Sequence, residues 1–254
     1  MLLLSLPLLL FLLVPLVVLV LSALPARVFA DLRDPTVSQA LSLSLVTTLL
    51  STTITVIGGT PVAYLLARRR FAGRAVLDTL IDLPMVLPPA VAGIALLIAF
   101  GRRGFIGQYL DAVGIEVAFT EVAVVLAQIF VAGPLYVKSA IAGFSHVDQE
   151  LERVAGLDGA NSFQVFQSIT LPLARTALIS GAVMTWARAL GEFGATIIFA
   201  GNFPGRTQTM PLAIYIGFEI RLDLAVTLAI ILLAISFGVL FIVKGILRRG
   251  VAEN

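Results

Sequence analysis

Arg188 and Glu192 sit four positions apart in the apolar stretch "WARALGEFGAT". At that spacing they share one helix face. Charges at membrane depth are expensive, so they mark either an ion pair or a function. One expectation is a pair that stabilises packing. The other is that Arg188 faces a pore and contributes to its field, with Glu192 fixing its direction. A second group is the hydroxyl run Ser42, Ser44, Thr47, Thr48, Ser51, Thr52, Thr53 and Thr55. Hydroxyls such as those of Thr47 and Ser51 can donate to an oxyanion along a path. Small hydroxyl residues also let helices approach closely in lipid, the role expected for most of them. Pro84, Pro88, Pro89 and Pro134 either break helices near a gate, with Pro88 and Pro89 the candidates, or mark helix ends.

Other chemistries find little material. The chain has no cysteine, which excludes disulfides, thiolate metal sites and a cysteine nucleophile. Its single histidine, His146, cannot build a histidine metal cluster, and no metal site is expected. No G-x-x-x-x-G-K-[ST] occurs, so ATP is not held in the P-loop way. A Ser–Lys enzyme stays open on composition alone. An ion-coupled carrier would need intramembrane acids as relays, and only Asp82 and Glu192 come near qualifying.

The elements that position these residues must cross a bilayer. The 254 residues are 59% hydrophobic and 13% charged, about half the charge of a soluble domain, with mean hydropathy +1.05. Net charge is only +2, so no basic nucleic-acid surface is expected. The reading is an all-α polytopic membrane protein, one transmembrane domain over 1–254 with six spans. They fall near 2–24, 38–67, 79–100, 121–140, 174–200 and 223–247, with a polar loop over 141–172. The first is read as a retained helix and not a cleaved signal, because no Lys or Arg precedes it. The second is longer than a crossing needs and is expected to begin with an interfacial turn. The fourth is expected to be short and to end at Gly133-Pro134. Asp223 is placed to cap the sixth. The segment "GNFPGRTQTMPLAIYIGFEIRLD" is expected to make a short interfacial helix.

Orientation follows from Lys and Arg in the loops. With a cytoplasmic N-terminus, Arg68, Arg69, Arg70, Arg74, Lys138, Arg153, Arg175, Lys244, Arg248 and Arg249 lie inside. Arg27, Arg33, Arg102, Arg103, Arg206 and Arg221 lie outside. The densest cluster, "ARRRFAGR", favours this sense, and places both termini and the 141–172 loop in the cytoplasm.

Within that loop, "DQELERVAGL" carries acids near its start, where a helix dipole favours them. Gly159 can end that helix. Asn161 followed by Gln164 predicts a capping box and a second helix. Phe163, Phe166 and Ile169 recur at spacing three and are expected on one face, and Pro172 punctuates entry to the fifth span. Such aromatics could lie on the bilayer or on the chain's own helices.

Gly159, nine residues, then Ile169-Thr170-Leu171-Pro172 resembles the EAA-type motif of ABC importer permeases: E-A-A, three residues, G, nine residues, I-x-L-P. Arg153, Val154 and Ala155 occupy the E-A-A slots, with Glu152 one position before the arginine. "DLPMVLPPAVAGIALL", "FSHVDQELERVA", "WARALGEFGAT" and "GRTQTMPLAIY" together resemble the molybdate branch of these permeases, near relatives of the tungstate and sulfate branches. The resemblance implies a type I ABC importer permease working as a dimer with a second copy of itself. Two separate ATPase subunits would bind ATP and magnesium, so this chain needs no cofactor. An extracytoplasmic oxyanion-binding protein would deliver molybdate. The loop residues 153–155, Gly159, Ala160, Ser162, Phe163, Phe166, Ile169, Leu171 and Pro172 would form the ATPase-coupling surface, with Phe163 and Phe166 as its anchor.

Overall fold

The computed structural model of the chain describes residues 2–22 and 31–252. The end of the first expected span, residues 23 and 24, and Arg27 of the orientation tally lie outside the described residues. Every regular element among the described residues is helical. In chain order they are α1 (Leu2–Leu21), α2 (Pro35–Arg68), α3 (Arg74–Val86), α4 (Pro89–Phe100), α5 (Gly107–Ala112), α6 (Glu121–His146), α7 (Gln149–Leu157), α8 (Ser162–Val165), a π-helical turn (Phe166–Thr170), α9 (Leu171–Leu190), α10 (Gly194–Phe199), α11 (Met210–Ile220) and α12 (Leu222–Ala252). Among the described residues four helices are long and apolar enough to cross a membrane, or five if α3 and α4 form one broken span.

Contacts divide the chain into two units. One is Met1–Ser44 with Asn202–Gly238. In it the start of α2 is set by Asp34, whose Oδ1 accepts the Thr36 N–H at 2.9 Å, with Pro35 as the first helical residue. That amide bond, with Arg221 Nη1 at 3.1 Å from Oδ2, holds the Asp34 carboxyl below its ordinary range. The Thr227 hydroxyl donates to Asp31 at 2.6 Å, and the Met210 N–H donates to Ser44 Oγ at 2.7 Å. The expected short helix in the 201–223 segment is α11, which buries Met210, Leu212 and Ala213. Asp223 lies inside the first turn of α12 instead of capping it, because the helix already starts at Leu222. The dipole favours the carboxylate there as well.

The other unit is Leu45–Gly201 with Val239–Asn254. α2 itself is one unbroken helix of 34 residues, with no interfacial turn at its start. At ~1.5 Å per residue it is roughly 50 Å long, some 20 Å more than a hydrocarbon core. Some of its hydroxyls bond back along the helix, as where Thr53 donates to Leu49 O at 2.8 Å and Thr60 to Val56 O at 2.6 Å. A straight third span over 79–100 does not form. α3 and α4 bend by 116° at Leu87-Pro88. Pro89 forces Pro88 into an extended conformation (ψ 134°), and α4 restarts with Pro89 as its first residue. Lys138 of α6 ties α3 down, at 2.7 Å from Asp78 and 2.9 Å from Asp82.

α6 passes through the buried Pro134 and continues to His146, so the fourth span is neither short nor ended there. α9 is continuous with α8 through the π turn, and the helix runs from Ser162 to Leu190. The helix that carries the fifth expected span therefore begins before residue 174 and ends before residue 200. α6 and α9 pack with their backbones close. A Cβ on Gly143 would stand 2.6 Å from Ala177 Cβ, and one on Gly181 2.6 Å from Ser139 Cβ. In lipid, where apolar burial between helices gains little, this close van der Waals contact is what holds them. One core joins α4, α6 and α10 through Ala92, Leu96, Val124, Ala127, Ala195 and Phe199. A second lies at the other end of α6, around Tyr136, Ala140, Phe144, Ala174 and Leu178.

Candidate functional site: the 147–172 loop and the Arg188–Glu192 pair

The loop is built from local signals upward. Asp148 caps α7, accepting the Glu150 N–H at 2.9 Å, with Glu150 and Glu152 in the first turn. α7 ends in a Schellman arrangement: the Gly159 N–H reaches Gly156 O at 3.2 Å and the Ala160 N–H reaches Ala155 O at 3.0 Å. Gly159 has φ +93°, which only glycine adopts freely. α8 opens on the expected capping box. Asn161 Oδ1 accepts the Gln164 N–H at 3.0 Å, and Gln164 Oε1 accepts the Asn161 N–H at 2.8 Å.

These two glycines predict opposite outcomes. Gly159→Ala meets no steric obstacle, yet forces a side chain into the left-handed region. It should destabilise the protein by about 1 kcal/mol. Gly156 lies inside α7, and a Cβ there also meets nothing. Gly156→Ala should stabilise by about 0.5–1 kcal/mol. Thermal unfolding of the detergent-solubilised protein reads both signs.

The expected common face of Phe163, Phe166 and Ile169 is corrected. Phe163 points out and is 66% exposed. Phe166 turns inward against Tyr64 of α2 (centroids 5.1 Å apart, edge-on) and Phe144 of α6 (6.1 Å). The π turn that begins at Phe166 widens the helix and takes it out of simple three-residue register with α8. Ile169 and Leu171 are half-buried, while Ser162 and Pro172 are exposed. Val154, Phe163 and the unanticipated Leu157 leave an apolar outer surface on the loop.

The residues missed are those that fasten the loop. Glu152 Oε1 lies 2.8 Å from Arg68 Nη2 and accepts the Thr170 hydroxyl at 2.6 Å. Arg68 Nη2 also donates to Val147 O at 3.0 Å. Arg153, at the motif's glutamate slot, instead pairs with Glu150 on the surface. One turn of α7 thus sends residue 152 inward and residue 153 outward. The acid one place before the motif slot was the available signal, since Glu152 and Ala155, three apart, share the half-buried face.

Arg188 and Glu192 do pair, at 2.8 Å between Nη1 and Oε2. They are not on one helix, because α9 ends at Leu190. Glu192 stands in the turn beyond, where its Oε1 accepts the Ala195 N–H of α10 at 2.9 Å. One buried carboxylate therefore restrains the end of α9 and starts α10. The Glu192 side chain is 1% exposed and that of Arg188 36%, so the pair has one open side. Pro89 lies at the same place: a Cβ on Gly194 would stand 2.6 Å from Pro89 Cβ. The proline bend and the ion pair are thus neighbours. Thr47 and Ser51 are buried instead. Thr47 Oγ1 accepts from Gln128 Nε2 of α6 at 3.2 Å, and Ser51 donates to Thr48 O at 3.0 Å.

Comparison with known proteins adds the family. Residues 59–252 match the family described as "Binding-protein-dependent transport system inner membrane component". The chain is 45% identical over 228 residues to the molybdenum transport system permease protein ModB of Mycobacterium tuberculosis, covering 89% of this chain and 86% of that one. It is 39% identical over 221 residues to the probable transport system permease protein NifC of Clostridium pasteurianum, covering 86% and 77%. A chain in the crystal structure of a bacterial ABC transporter that imports the polysaccharide alginate has the same fold, with TM-score 0.76, 17% identity and coverage of 98% and 94%. The chain belongs to the family of inner membrane components of binding-protein-dependent transport systems.

Proposed function

We propose that this chain is the pore subunit of an ATP-driven importer of molybdate, working as a dimer of six-span subunits with two separate ATPases and an extracytoplasmic oxyanion-binding protein. The observation that supports it most is the loop over 147–172. A segment with exposed apolar residues is capped at each turn and fastened to α2 and α6 by buried contacts. That is the form needed to receive force from another protein. The sequence carries no P-loop of its own, so ATP and magnesium belong to the ATPase. The Lys and Arg excess in the loops supports a cytoplasmic side for this loop and both termini. Molybdate is assigned because the ModB relatives are named for molybdenum transport.

The ATPase dimer closes on ATP, and a loop seated on each half moves with it. Switching requires that the ATP-bound dimer favour one pore state over the other. On the pore side, Arg188 is the cation offered to the passing oxyanion, with Glu192 fixing its direction and the Pro88-Pro89 bend beside it serving as the gate. Thr47 and Ser51 are assigned to helix packing. An ion-coupled carrier fits less well, since Asp82 is held by Lys138 and Glu192 by Arg188, leaving neither free as a relay.

The test of the substrate is uptake into vesicles bearing the whole complex, with molybdate, tungstate and sulfate in competition. Molybdate should dominate. Uptake of sulfate in preference would overturn that assignment and leave the permease class intact.

A further inference from the structure

We infer that Glu152 is a positioning residue that makes α2 a second output of the ATPase-facing loop, beside α9. This rests on the coupling-loop reading above. The loop is joined covalently to α6 through Val147 and to α9 through the π turn. It has no such link to α2, which lies 84 positions away at Arg68. Glu152 supplies the polar one. A single carboxylate oxygen gathers Arg68 from the last turn of α2 and Thr170 from the turn that leads into α9. Through the same Arg68 nitrogen it reaches the carbonyl of Val147, the residue that ends α6.

The joint is built to be rigid. The side chains of Arg68 and Glu152 are 8% and 15% exposed, and Thr170 is fully buried. Arg69 and Arg70, the next two residues, are exposed. A pair taken out of water resists separation, because a lone buried charge is costly. The cation also sits at a helix C-terminus, where the dipole favours it. The Tyr64, Phe144 and Phe166 rings pack edge-on or tilted against one another near the same corner, adding an apolar contact among the same helices. A displacement imposed on Phe163 at the tip is therefore delivered to α2, α6 and α9 together. The placement of arginine at residue 153 follows as well: the inward carboxylate is at 152, and 153 is free to face water.

The experiment uses the complete importer, with ATPase and binding protein, in proteoliposomes. It reads molybdate transported per ATP hydrolysed, alongside the ATPase retained on purification. Glu152→Gln and Arg68→Gln should each lower the transport ratio by about five-fold or more, the low end of common coupling between sites. The ATPase should still copurify. The double variant should be no worse than either single one, since both cut one joint. Thr170→Val, which keeps the side chain's shape, should lower the ratio by about two-fold or more; it reads the joint even if the charge variants fail to accumulate. An unchanged ratio in Thr170→Val or in the charge variants overturns the proposal, as does a double variant equal to the product of the singles. Loss of the ATPase from the Glu152→Gln complex would make Glu152 a docking residue and overturn it too. If the unsubstituted complex holds no ATPase or shows no ATP-driven transport, the coupling reading beneath falls with it, and that outcome is distinct from the others.

Discussion

Phe163→Asp should release the ATPase from the solubilised complex while the permease itself accumulates normally. Phe163 is the most exposed aromatic of the loop at 66%, and its backbone is held by the Asn161–Gln164 capping box, so substitution there disturbs nothing inside the chain. Aromatic anchors that become buried at an interface commonly carry 2 kcal/mol or more, and about 2 kcal/mol is roughly a thirty-fold loss of affinity. A carboxylate buried at the interface in its place adds its own desolvation cost. Phe166→Asp is the contrast. Its ring lies between Tyr64 and Phe144, so the charge enters the chain's own core. That variant should lower the amount of folded permease in the membrane, and its loss of ATPase would follow from that. Pull-down of the ATPase normalised to permease amount separates the two.

Glu192→Ala should be among the most destabilising single substitutions in the described structure. It removes the partner of Arg188 and the acceptor for the Ala195 N–H together, at a site with almost no access to water. The charge left behind on Arg188 is one-third exposed, so the cost falls below the about 3–5 kcal/mol of a fully buried pair, and the lost cap adds about 1 kcal/mol. Thermal unfolding in detergent should show this as a large drop in midpoint. Arg188→Gln differs in kind. It removes the cation and leaves the buried Glu192 carboxylate beside a neutral amide, so permease amount should fall as well, and oxyanion uptake per folded permease is the readout that should drop. Unchanged uptake at normal expression would remove Arg188 from the pore account.

What could be read in advance was whatever depends on neighbours in sequence. The cap at Asn161, the glycine turn at Gly159 and the acids opening α7 all stand where their local chemistry places them. Hydropathy located the long helices for the same reason. The prolines were harder. Pro88-Pro89 breaks a span by 116°, yet Pro134 and Pro172 lie inside continuous helix. The missing N–H of Pro172 falls in the turn just after the π segment, where the helical ladder is already loosened. Only packing partners separate these cases. The same holds for side-chain direction. Phe166 was expected outward with Phe163, but Tyr64 and Phe144 form an inner surface for it. Glu152 was visible one place before the motif slot, and its role needed Arg68 from another helix.

The most direct measurement is ATP-dependent molybdate uptake by proteoliposomes holding this chain, its ATPase and its binding protein. Uptake should require all three components and ATP, and should disappear in Phe163→Asp together with the bound ATPase. Uptake by this chain alone without ATP, or uptake undiminished in Phe163→Asp, would contradict it.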